Sequence, residues 1–163
     1  FFSEFRSEDL AEAIATQEAV VAYIKRQNTT KGKKMALPNI ILIFDDLADS
    51  PEFMRREKLL HQVYIRGRHQ AISVITATQV WRALSSNCTK QATAVYCFAV
   101  RHQADLDGLA EELGAVHPRG KKGIMDLYRR ATHGVPYGFL YCNLMEKDPR
   151  KMFMDRHFQP LGL

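Results

Sequence analysis

Residues 40–46 read Ile40-Ile41-Leu42-Ile43-Phe44-Asp45-Asp46, five apolar residues followed by two adjacent carboxylates. The apolar part, entered after Pro38, has the length and β-branched content of a buried strand. The two aspartates need a separate reason. Carboxylates are costly to desolvate unless they meet a cation, a proton or a hydrogen-bond donor. The strand is therefore expected to end where chemistry is done.

Elements on either side set the fold class. A first helix is predicted from Ser7, read as its cap, to about Gln27, with Leu10, Ile14, Val21 and Ile24 at helical spacing. Ser50-Pro51-Glu52 opens a second helix that ends near Gly67. Further strands are predicted at 72–78 (ISVITAT), 92–100 (ATAVYCFAV) and 137–143 (YGFLYCN), and an edge strand at 151–158. A short helix and loop surround Trp81 and Leu84. Two more helices are closed by Gly114 and Gly134. Strands that alternate with helices, the first three being nearly continuous apolar runs, predict an α/β fold with a mainly parallel sheet covered on both faces.

Composition bounds the partners. The chain has 163 residues and 46% hydrophobic content, enough for one domain with its own core. No stretch approaches the roughly 20 apolar residues of a membrane span, and FFSEFRSEDL lacks the layout of a signal peptide. Cys88, Cys97 and Cys142 form no CxxC pair and indicate a reducing compartment; Cys97 and Cys142, in apolar runs, read as core thiols. A net charge of +5 is compatible with a polyanionic partner.

In an open α/β sheet, ligands bind beyond the carboxyl ends of the strands. Those ends carry Asp45-Asp46, then Thr78-Gln79, then Arg101-His102. An acid at the tip of an apolar strand can anchor Mg²⁺ beside a nucleotide, and a second acid can polarise the attacking water. Gln79 at the next tip would orient that water or sense the γ-phosphate. Either part alone has a plain structural explanation. Their order and spacing together carry the reading.

The segment YIRGRHQAISVITATQ, 64–79, extends the pattern. An apolar strand ending in Asp-Asp, a helix, and then GRHxxISVIxxTQ resembles the DNA-packaging ATPases of large DNA viruses, poxvirus type, within the FtsK–HerA superfamily of P-loop NTPases. SSNCT with Asn87, and DRHFQP near the end, look like the same branch. The resemblance covers roughly residues 38–160 and is most specific over 40–79. It implies a RecA/FtsK-like core, ATP and Mg²⁺ as cofactors, and double-stranded DNA as substrate. It also implies a homo-oligomeric ring, a hexamer or a pentamer, with a capsid or portal protein as a possible further partner. The place of action it implies is the virion or a cytoplasmic virus-assembly site.

On that resemblance, Asp45 is the magnesium acid, Asp46 the catalytic acid and Gln79 the polar sensor. Arg68 is the arginine finger that reaches the neighbouring subunit's site, with Arg66 as the alternative. His69 is read as structural, and Arg101 as a phosphate or subunit contact. Two basic loops, one with Lys31, Lys33 and Lys34 and one with Arg119, Lys121 and Lys122, are candidates for contacting DNA phosphates. The family's phosphate loop is missing, since no GxxxxGK[ST] frame occurs in these residues. The expectation is a single α/β ATPase domain, 1–163, lacking its first strand–phosphate loop–helix unit because residue 1 lies inside a longer protein. The alternatives are a degenerate, non-hydrolysing module that binds DNA or a capsid or portal protein, and a metal-dependent nuclease using Asp45 and Asp46.

Overall fold

The computed structural model describes residues 6–32, 34–45 and 57–162. The described chain divides into two compact units, one formed mainly by residues up to 79 with 83–91, the other by 80–82 with 92 onward.

In the first unit, helix α1 spans Ser7–Thr30, strand β1 Ile40–Asp45, helix α2 Glu57–Arg66, strand β2 Ile72–Ala77 and a short helix α3 Ser86–Thr89. Helix α1 runs three residues past its predicted end. Thr29 and Thr30 extend it by donating their hydroxyls to the carbonyls of Lys25 and Arg26, one turn back. Ser7 does not cap this helix. Arg6 holds the extended cap position, and Ser7 is the first helical residue, buried. The predicted start of α2 at Ser50-Pro51-Glu52 lies outside the described residues. A 3-10 turn, Gly67–Gln70, joins α2 to β2.

Strands β1 and β2 pair in parallel, Ile40 with Ile72 through Asp45 with Ala77. The strand period of two sends Ile40, Leu42 and Phe44 inward with Ile72 and Val74. There they meet Leu10 and Ile14 of α1 and Leu60 and Val63 of α2.

The second unit contains β3 (Ala94–Phe98), α4 (Gln103–Gly114), α5 (Gly120–Thr132), β4 (Phe139–Asn143), α6 (Pro149–Met152) and β5 (Phe153–Met154). Its sheet, in the order β3-β4-β5, is antiparallel throughout. One face of that sheet (Val95, Cys97, Leu140, Cys142) packs with Leu106, Leu109 and Leu113 of α4 and Ile124 and Leu127 of α5. All three cysteines are free and buried, Cys97 and Cys142 as expected and Cys88 besides, and burial pushes the Cys97 thiol up to about 12.

The mixed α/β class is as expected, but the described strands do not form one mainly parallel sheet. β3 hydrogen-bonds to β4 across Tyr96 and Tyr141, not to β1 or β2. The predicted strand at 151–158 shrinks to the two residues of β5, because Asp148 and Pro149 start a helical turn instead. Gly114 does not leave its helix either. It is buried within α4, and a Cβ there would stand 2.7 Å from the Lys121 backbone nitrogen. What it supplies is close approach between α4 and the start of α5, not a left-handed cap.

Candidate functional site

Parallel strands end at a common edge. Because Asp45 is level with Ala77, the chain carries Thr78 and Gln79 past β2 on the same edge where Asp45 closes β1. Phe44 points into the core and Asp45, next in the alternation, is exposed. Its carboxylate therefore keeps its hydration and avoids the cost of burial. Gln79 is exposed at the same edge. This is the arrangement the sequence reading required of these two residues. Asp46 lies outside the described residues.

The donor chemistry fits the group the reading implies. Mg²⁺ prefers hard oxygen ligands and keeps several waters, so it is held by one or two carboxylates rather than an all-protein cage. Asp45 offers such an oxygen at a solvated strand tip. Among the described residues, no group of three or more His, Cys, Asp or Glu is placed to hold a metal ion.

Arg68 stands elsewhere. It sits in the 3-10 turn that enters β2, whereas Gln79 lies beyond the exit of that strand. At about 3.3 Å per residue, the six residues of β2 separate the two ends by roughly 17 Å. Arg68 is exposed and, among the described residues, its guanidinium has no partner. Arg66 is the last residue of α2, also exposed, at the same entry end.

The turn around Arg68 is held by contacts that sequence reasoning missed. Gln17 of α1 donates its side-chain amide to the carbonyls of Pro38 (2.8 Å), Gln70 (3.0 Å) and Ala71 (3.4 Å). The neighbouring Gln70 amide donates to the Glu18 carboxylate, and Lys25 Nζ donates to the His69 carbonyl at 3.4 Å. A signal for Gln17 was present in the sequence, as a polar residue that interrupts the stripe Leu10, Ile14, Val21, Ile24.

In the second unit, Arg101 follows β3 and is exposed. β3 is hydrogen-bonded to β4 and, among the described strands, to neither β1 nor β2. The second predicted basic loop is in fact the start of α5: Arg119 caps the helix and Lys121 and Lys122 lie in its first turn, because the chain turns helical at Gly120. Lys121 is ion-paired with Asp107 at 2.8 Å and Arg119 with Asp126 at 2.5 Å, while Lys122 is exposed. Lys31 and Lys34 are exposed in the first unit, and Lys33 lies outside the described residues. Trp81 is half-buried against the second unit's core. No described helix is long and apolar enough to cross a membrane.

The geometry thus sets an acid and an amide at the shared edge of a parallel strand pair in a basic α/β chain. Residues 7–127 match the family described as Poxvirus A32 protein. The match takes in well over half of the chain, which belongs to that family, the packaging ATPases of poxviruses. No significant match is found among curated proteins or among solved structures.

Proposed function

We propose that the full-length protein is an ATP-driven translocase that packages double-stranded viral DNA at the virion or its cytoplasmic assembly site. These 163 residues would form the acid-, sensor- and arginine-bearing part of one RecA/FtsK-like ATPase domain. The observation that carries this reading is the parallel register, which brings Asp45 and Gln79 to one edge. Bound Mg-ATP would supply the γ-phosphoryl group and partial neutralisation of its charge. Asp45 holds the ion's shell, Asp46 accepts a hydrogen bond from the attacking water, and Gln79 orients that water. Arg101, in the other unit, serves as a contact to phosphate or to a neighbouring subunit.

Arg68, with Arg66 as the alternative, acts on a neighbouring subunit's nucleotide in a homo-oligomeric ring, hexameric or pentameric. Its position a strand's length from its own subunit's Gln79 supports action across an interface. There it would stabilise charge on the transferred phosphoryl group. Lys33, Lys34, Lys121 and Lys122 contact DNA phosphates without reading sequence, and a capsid or portal protein docks the ring.

The domain is completed by the strand–phosphate loop–helix unit whose GxxxxGK[ST] frame these residues lack. Support comes from the outer face of the β1–β2 pair, where Ile41, Ile43 and Ile75 are 58%, 69% and 54% exposed. Strands apolar on both sides are built to be covered on both sides. The test is Asp46→Asn in the full-length protein. ATP hydrolysis should fall by orders of magnitude while ATP binding is retained, and unchanged turnover refutes the assignment. The missing frame favours one other reading, a non-hydrolysing module for DNA or a capsid or portal partner. Full-length protein that binds DNA but neither binds nor turns over ATP would establish it.

A further inference from the structure

We infer that Gln17 is the positioning residue for the trans-acting arginine, and that α1 fixes the turn from which Arg68 projects. The inference rests on the reading of Arg68 given above.

The argument starts from an anomaly in α1. Leu10, Ile14, Val21 and Ile24 face the core, and Gln17 occupies the middle of their stripe, only 5% exposed. An amide in a core position costs stability unless it is fully hydrogen-bonded. An apolar side chain would pack there without that demand, so the contacts of Gln17 indicate what the position is for. Its amide reaches the carbonyl before β1 and two consecutive carbonyls before β2, at Pro38, Gln70 and Ala71.

The Gln70 and Ala71 carbonyls belong to a turn that cannot hold its shape by local preference. Ala71 closes the 3-10 turn in the left-handed region, at φ 54°, which an L-residue with a Cβ adopts at a cost. Gly67 opens the turn buried, where a Cβ would stand 3.0 Å from the Ile72 carbonyl oxygen. Such a conformation persists where its surroundings over-determine it. Here α1 does so at three successive residues: Lys25 holds the His69 carbonyl, Glu18 the Gln70 side chain, and Gln17 the carbonyls of Gln70 and Ala71. Arg68 is the next residue back, and its side chain is left to solvent. The helix thus clamps the base of the arginine and leaves its tip for another molecule.

The experiment uses the full-length protein in its assembled form. Gln17→Met keeps the volume and removes the donors. ATP turnover should fall roughly 10- to 100-fold, the loss expected when a catalytic group is misplaced by about 1 Å, while KM for ATP changes by less than about twofold. The distinguishing readout is mixing. A Gln17→Met subunit keeps its own acids, so mixing it with inactive Asp46→Asn subunits, whose Arg68 is intact, should restore activity. Mixing it with Arg68→Ala subunits should restore none.

Turnover within about twofold of wild type overturns the inference. So does a loss that Asp46→Asn subunits do not rescue although they rescue Arg68→Ala. If Arg68→Ala itself is not rescued, the trans role of the arginine falls, and this inference with it. Should Gln17→Met not fold, the surface pair Glu18→Ala/Lys25→Ala removes two of the clamps without touching the core. It should show reduced turnover with the same rescue pattern, and unchanged turnover there overturns the inference.

Discussion

Gly123→Ala sets a helix preference against a packing constraint, and the structure indicates which prevails. Gly123 is buried in α5, and a Cβ there would lie 2.1 Å from both Cε1 and Nδ1 of His117. The imidazole cannot swing aside freely. It is 5% exposed, its Nδ1 accepts the Arg119 backbone N–H at 3.0 Å, and its ring packs against Phe153 at 5.4 Å. Replacing a mid-helix glycine by alanine gains about 1 kcal/mol of helix propensity. Forcing an extra carbon into a packed site costs about 1–3 kcal/mol, and breaking the hydrogen bond to Nδ1 costs about 1 more. The clash wins, with a net loss of about 1–3 kcal/mol. For a unit of this size that lowers Tm by roughly 5 to 20 °C, measurable by thermal unfolding followed by circular dichroism. Adding His117→Ala vacates the space, so the double variant should lose clearly less than the sum of the two single losses. A Tm within about 2 °C of wild type for Gly123→Ala, or strictly additive losses, would refute the reasoning.

The same histidine makes stability depend on pH. Burial first, and the Arg119 charge second, push its pKa below the usual imidazole value. The unfolded chain therefore takes up the proton first as pH falls. This contribution is complete above about pH 6.5 and is lost as pH drops from there through the lower folded value. Urea midpoints between pH 7.5 and 5 should fall in wild type and flatten in His117→Gln, and an unchanged slope in that variant would count against the assignment. For DNA, Lys122→Ala in the full-length protein should reduce the slope of log affinity against log salt by about 1, the signature of one lost phosphate contact. Lys121→Ala should change it less, because Lys121 is already paired with Asp107. Identical salt slopes for wild type and Lys122→Ala would remove the start of α5 from the DNA path.

Much of the fold was legible because helices and strands are local. The stripe of α1, the apolar run of β1 and the β-branched run of β2 each declare their element within a few residues. The acid and the amide of the candidate site were legible too, since in a parallel pair position along each strand translates directly into position along the shared edge. Arg68 was singled out only through resemblance. Nothing in GRHQ, 67–70, states that the turn stands at the entry end of β2, away from Asp45. Gln17 went unread because its importance comes from three carbonyls remote in sequence.

Sequence by itself determined the alternation of elements, the buried thiols Cys97 and Cys142 and the candidate residues at the strand tips, all consequences of side-chain chemistry at short range. Tertiary structure alone decided strand pairing. ATAVYCFAV, 92–100, is apolar enough for a strand covered on both faces, yet Tyr96 and Phe98 stand 52% and 55% exposed on an aromatic face with Phe139 and Tyr141, in an antiparallel sheet. An apolar run records that a strand is to be covered. Its partner, its direction and what covers it are set by segments far away in the chain.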